Sequence, residues 1–283
     1  ALYTDTYNER IWNQTYEMAK PTIDICEDYL VIYDKKGTEI YIMTPQGFVS
    51  NIETTMTIEQ VSIAAQGTIA VLMGDQSNSY LVLYDKNGKE LVNGAIYGED
   101  GGYPIAIALS NDAIKLAVSM LDINVSANSF SDMVIPQLDF VSNDRMVAYG
   151  DSEIAIFEGT QKPKLTQEIP LTGEAKSIFN NNKYVGIVYS NNDENLTHHV
   201  VVYDMHGFTV MEKDFAQEYT QIGFLENNEV CILNDHSCDI YTVRGIYKFH
   251  YDFDEELYKV ISGGTGLNYT IILENSTEKV RLK

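Results

Sequence analysis

Basic residues are scarce in this chain: 19 Lys and Arg stand against 41 Asp and Glu, a formal net charge of -22 over 283 residues. Such a surface repels phosphate backbones and anionic lipid at long range, so no nucleic-acid partner is expected, and the acidity favours solvation, Ca²⁺ or basic partners. Cysteine is equally sparse. Cys26, Cys231 and Cys238 cannot build a disulfide framework. Cys231 and Cys238 fall diagonally on one face of a hairpin if Asn234 to Ser237 form its turn, and free thiols are expected. No apolar run has the length of a membrane span, and the first residues show no signal-peptide pattern. Convincing helical spacing is absent as well, apart from room for one turn between Asp5 and Asn13.

What is present is a recurring hairpin. Tyr80-Leu81-Val82-Leu83-Tyr84-Asp85-Lys86-Asn87-Gly88-Lys89-Glu90-Leu91-Val92 joins a β-branched apolar run to a second run through a polar turn ending in glycine. The phrase returns around Gly47, Gly207 and Gly245. A period near about 40 residues, built of strands, is the mark of a propeller blade. The expectation is an all-β, seven-bladed β-propeller forming a single domain over 1–283.

Blade one runs from Thr22 to about Thr57, and blade two from about Ile58 to Ile96. Blade three opens with Tyr103–Leu109 and Ala113–Ser119 and then breaks off, because Met120 to Met133 do not read as a paired strand and turn. Either the blade is short or residues are missing near Asn124-Val125; the second is favoured, since a blade without its outer hairpin exposes apolar edges. Blades four, five and six follow regularly between Pro136 and His250. The seventh is expected to be shared between 1–19 and 256–283, with the strand at Arg10–Tyr16 completing a sheet begun by three C-terminal strands.

With the repeat laid out, the chain resembles an uncharacterised family of bacterial propeller proteins with a WD40/YVTN-like repeat. The resemblance rests on Ile11-Trp12-Asn13-Gln14-Thr15-Tyr16-Glu17-Met18, Asp24-Ile25-Cys26 with Val31-Ile32, Gly102-Tyr103-Pro104 before Ile107-Ala108-Leu109-Ser110, and Ala148-Tyr149-Gly150-Asp151. It implies an extracytoplasmic protein tethered at the cell surface by an N-terminal membrane helix, which this sequence does not contain. It also implies a longer segment after the second strand of blade three, and it lends no catalytic residues.

Ligands of a propeller commonly meet the face that carries the turns between second and third strands and the links between blades. Here those places hold Asp75, Asp151, Asp193 and Asp235 in turns, and Glu99 and Asp100 in a link, so these six are the ligand-face candidates. Asn, Asp and Gly are also what tight turns require for their own geometry. Asn191 to Asn195 has the oxygen-rich composition of a Ca²⁺ loop without the spacing of an EF-hand, so Ca²⁺ is the one cofactor weighed and none is expected. Adjacent His198 and His199 point to opposite faces of a strand and cannot chelate together. Ser262-Gly263-Gly264-Thr265-Gly266 lacks the Lys and the helix of a phosphate loop and reads as a hairpin turn. Of the 20 tyrosines, Tyr33, Tyr84, Tyr189, Tyr203 and Tyr241 fall at strand ends, where they suit packing between blades. The functional expectation is a monomeric, non-catalytic binding propeller for a protein or carbohydrate. The alternative is a carbohydrate hydrolase or lyase with carboxylates such as Asp75, Asp151 and Asp235 around the channel.

Overall fold

A computed structural model describes residues 1–4, 9–75, 78–97, 102–121, 134–161, 163–263 and 266–282. Two compact units divide the chain, Ala1–Glu168 and Ile169–Lys283.

In the first unit β1 (Leu2–Thr4) pairs with β2 (Arg10–Asn13). Antiparallel meanders follow: β3 (Pro21–Cys26), β4 (Tyr29–Asp34), β5 (Glu39–Thr44) and β6 (Gly47–Glu53), then β7 (Thr57–Ile63), β8 (Ile69–Gly74), β9 (Asn78–Tyr84) and β10 (Glu90–Tyr97). A two-stranded sheet of β11 (Tyr103–Leu109) and β12 (Leu116–Leu121) comes next. The meander of β13 (Gln137–Ser142), β14 (Arg145–Tyr149), β15 (Glu153–Glu158) and β16 (Lys164–Pro170) ends at the division between the units.

The second unit holds β17 (Ala175–Asn180), β18 (Tyr184–Ser190), β19 (His198–Asp204) and β20 (Thr209–Phe215), then β21 (Gln221–Phe224), β22 (Val230–Asn234), β23 (Ser237–Tyr241) and β24 (Tyr247–Asp252). Its last sheet has three strands, β25 (Leu257–Ser262), β26 (Asn268–Leu273) and β27 (Thr277–Arg281).

The repeated turn works as its residues require. Asp85 Oδ1 accepts from the N–H groups of Asn87 and Lys89, and Asp204 Oδ1 accepts from those of His206 and Phe208. Gly88 and Gly207 close the two turns at φ of 81° and 79°, a left-handed conformation that a Cβ would strain. Backbone donation, from Lys89 above all, holds the Asp85 carboxyl below the usual carboxylate range. Burial then grades across each meander. Every residue of β8 is buried, as are five of seven in β18, whereas seven of eight in β10 are exposed. The second strands β8, β18 and β22 are covered on both faces, which explains their unbroken apolar runs.

Two expectations are corrected here. Blades of three or four strands number six among the described residues, five four-stranded sheets and one three-stranded, against the seven expected. β11 and β12 remain a pair, and the segment that should hold their outer hairpin, with the Asn124-Val125 link, lies outside the described residues. The N-terminal strand also takes a different partner. β2 pairs with β1, Tyr3 stacks on Trp12 with ring centroids 5.6 Å apart, and the Trp12 indole donates to the Pro45 carbonyl at 3.1 Å. β2 uses one edge on β1, and β25 to β27 stand as three strands among the described residues. A helical turn at Asp5 to Asn13 is not seen over Arg10–Asn13, which is β2; residues 5–8 lie outside the described residues.

The three cysteines are free and buried. Cys238 stands opposite Leu233, and Cys231 opposite Ile240, which is the diagonal placement expected. Burial pushes the thiols up, to about 11 at Cys26 and about 12 at Cys238, so they behave as apolar filler. Tyr33, Tyr189 and Tyr241 are buried; Tyr33 joins a core with Ile58 and Val61, and Tyr241 one with Val200 and Val202.

In the second unit one polar cluster ties the last two sheets together. Lys248 Nζ donates to Glu229 Oε1, to the Gly266 carbonyl at 2.6 Å and to Tyr269 Oη at 2.7 Å. The Tyr269 hydroxyl in turn donates to Glu229 Oε2 at 2.7 Å. All three ammonium protons are used, which is what lets an ion pair persist in a site where Glu229 is 8% and Tyr269 2% exposed. Replacing Lys248 by Met strands a buried carboxylate and is expected to cost about 3–5 kcal/mol in urea unfolding. Tyr269→Phe should cost about 1–3 kcal/mol, and a loss under about 0.5 kcal/mol for both would show that the cluster is solvated.

Candidate binding site

Asp75 Oδ1 accepts from Asn78 N at 2.9 Å, Asp151 Oδ1 from Val134 N at 3.3 Å and Asp193 Oδ1 from Asn195 N at 2.8 Å. Asp235 is the residue whose carbonyl receives Leu257 N at 2.6 Å. All four side chains are exposed and each lies in a separate hairpin turn or its flank; Asp75 and Asp193 bond the backbone of their own turns, whereas Asp151 reaches the segment ahead of β13. Glu99 and Asp100 lie outside the described residues. Among the described residues no three His, Cys, Asp or Glu side chains are grouped as a metal ion would need. Nor is any helix among them long and apolar enough to cross a membrane.

A different set of polar residues, on the first strands of the sheets, proves more organised. Asp24 Oδ2 accepts from Ile63 N at 2.9 Å, so that β3 grips β7. Ser62 Oγ accepts from Leu109 N at 3.1 Å. The Gln60 amide clamps a single residue of β11 from both sides, accepting from Ile107 N at 2.9 Å and donating to the Ile107 carbonyl at 3.0 Å. Burial raises the Asp24 carboxyl above its ordinary value, against the lowering effect of the Ile63 and Ile25 amides. The sequence signal for these bridges was faint: a polar residue inside an otherwise apolar first strand.

The second unit breaks that pattern between β21 and β25. There a cleft of about 330 Å³ opens, floored by Leu225, Leu233 and Val260 and rimmed by Gln221 and Lys259. Gly223 leaves its middle empty, since a Cβ placed there would meet nothing within 4 Å.

Two histidines sit between carboxylates on outer strands. His199 Nδ1 is 2.6 Å from Asp214 and its Nε2 3.5 Å from Glu212; His250 Nδ1 is 3.1 Å from Asp239 and its Nε2 3.1 Å from Asp252. The two nitrogens of each ring face different carboxylates, so neither set converges on one point. His198, on the other face of β19, stacks on Phe215. The bond to Asp239 chiefly, with Asp252 adding to it, raises the His250 pKa above the ordinary 6.5 in spite of partial burial. A raised folded value means stabilisation that is complete below the unfolded value of 6.5 and fades as pH climbs through the folded one. The melting-temperature gap between wild type and His250→Gln should therefore shrink from pH 6 to pH 8.5; a gap independent of pH would show that the imidazolium is not held by these carboxylates.

With this geometry in place, comparison with known proteins identifies the architecture. BamB from Moraxella catarrhalis is similar in structure at a TM-score of 0.58 and 13% identity, over 96% of this chain and 88% of that one. The Pan2 WD40 domain from Neurospora crassa aligns at 0.52 and 10%, over 93% and 87%. BBS1N, solved in complex with ARL6DN, aligns at 0.53 and 12%, over 93% and 92%. At such identities the likeness speaks for the fold alone, and the fold is an all-β propeller. No curated protein matches the sequence. A family of unknown function, DUF5711, matches in two stretches, residues 1–129 and 122–282, which overlap in the residues after β12. The chain belongs to the DUF5711 family.

Proposed function

We propose that this propeller is a non-catalytic binding protein of the cell exterior, acting through a protein ligand. The observation that carries the reading is the cleft beside Gly223. It lies at a first strand that lacks the side-chain bridges received by β7 and β11, and it combines an apolar floor with a free amide and an ammonium group at its rim. That is the composition of a recognition pocket: apolar surface for affinity and a few polar groups for orientation. The carboxylates of Asp75 and Asp193 accept from backbone N–H groups of their own turns, and that of Asp151 accepts from Val134 N ahead of β13, which suits a scaffold. The propeller solved with ARL6DN supports a protein partner by analogy of fold. The extracytoplasmic setting is supported by the resemblance to a family of tethered bacterial propellers.

Immobilised protein offered a random peptide library and a glycan array should enrich peptides that are recovered with unchanged mass. Ligands that return cleaved, with cleavage abolished by Asp151→Asn or Asp235→Asn, would overturn the non-catalytic reading in favour of the carbohydrate-active or another enzyme. For location, an antibody raised against the propeller should label intact cells of the source bacterium. Labelling seen only after lysis would place the domain inside.

A further inference from the structure

Resting on that reading, we infer that the cleft between β21 and β25 takes an extended peptide strand, which adds to the bare edge of β25 and places an apolar side chain in the space left by Gly223.

The inference comes from comparing equivalent positions within the molecule. In the first unit, Gln60 stands four residues before Ala64, whose N–H closes the hairpin onto Thr68, and Ile107 stands three before Ser110, which closes onto Lys115. In the second unit Gln221 stands four before Leu225, which closes onto Glu229, and Val260 three before Gly263, which closes onto Asn268. Gln221 is thus the counterpart of Gln60, and Val260 of Ile107. By the same count Gly223 stands where Ser62 does, and Ser262 where Leu109 does. In the first unit both bridges form. In the second neither does. Among the described residues the Gln221 amide has no hydrogen-bond partner, and Gly223 has no side chain with which to reach Ser262. Glu226 takes over that duty, accepting from Ser262 N at 3.2 Å and Ser262 Oγ at 3.0 Å.

β25 is consequently fastened at both ends, by Leu257 N on the Asp235 carbonyl and by Ser262 on Glu226, and has no side-chain bridge between them at Val260, which is 3% exposed and lines the cleft. An edge held straight in this way loses little freedom on binding. Ile107 indicates what such an edge asks for: one acceptor for its N–H and one donor for its carbonyl, on the same partner. A peptide strand supplies that pair at every second residue. Its opposite edge meets the Gln221 amide, Lys259 offers a further donor at the rim, and Leu225 and Leu233 floor a hole sized for an aliphatic side chain.

The test uses the whole chain, labelled with ¹⁵N, and the probe N-acetyl-leucine-N′-methylamide. Saturable shifts are expected at Gly223, Leu225 and Val260. Methylating the leucine nitrogen of the probe, which removes a donor and keeps the apolar side chain, should weaken binding at least about tenfold. Gly223→Leu, whose Cβ would meet nothing within 4 Å, places a side chain in the hole and should abolish the shifts while leaving the melting temperature unchanged; Gln221→Leu should weaken them. Absence of saturable shifts, shifts that survive Gly223→Leu, or equal binding of the methylated probe would each overturn the inference. Library peptides that bind wild type and Gly223→Leu equally would sink this site and leave the general binding reading standing.

Discussion

A strand that opens a meander has one paired edge and one bare edge, and a bare edge carries N–H and C=O groups that must be answered by something. In the first unit the answer comes from side chains on the preceding sheet: Asp24 for β7, Gln60 and Ser62 for β11. These bonds do two things together. They satisfy backbone that lies partly out of water, and they set the stagger of one sheet against the next, since a slip by one residue would turn each polar side chain away from its target. Packing of Val31, Ile58, Val61 and Val71 into a shared core then follows a register already defined.

The second unit uses the same logic with other residues. Glu226 and Asp235 hold the two ends of β25, and Lys248 with Glu229 and Tyr269 locks the sheet from behind. Placing the polar fasteners at the ends leaves the middle of the strand, at Val260, without a side-chain partner of its own. A glycine and an unengaged glutamine are all that separate a sealed seam from an open one.

Much of this architecture could be read from the residues. The positive-φ glycines at 47, 88, 207 and 245 mark the repeat because a left-handed turn leaves few alternatives, and the apolar runs of β8, β18 and β22 announce strands covered on both faces. The N-terminal strand was legible as a strand and not as to its partner: alternation in Arg10 to Asn13 says that an edge will be used, while the choice of β1 depends on Tyr3 and Pro45 meeting Trp12 in three dimensions. The blade number falls to six among the described residues for another reason: β11 and β12 remain a two-stranded sheet there. Aspartates in turns attracted a functional reading because carboxylates are conspicuous in a sequence, yet an Asp that completes an Asx-type turn looks identical there to one that awaits a ligand. The cleft was invisible, since its defining features are a missing Cβ at Gly223 and an amide on Gln221 that makes no bond, and no motif encodes an omission.

The sheet order of this chain is almost wholly sequential, each strand pairing with the one synthesised just before it. A nascent polypeptide emerging from a ribosome or a secretion pore thus has every partner for one meander at hand within about 40 residues, before the next meander has begun. Short loop closures of this kind make all-β assembly quicker than its class would suggest, and they limit the time during which unpaired apolar strands are open to other molecules. Delivery from one end, sheet after sheet, lets each meander pair its strands without waiting for the last residue of the chain.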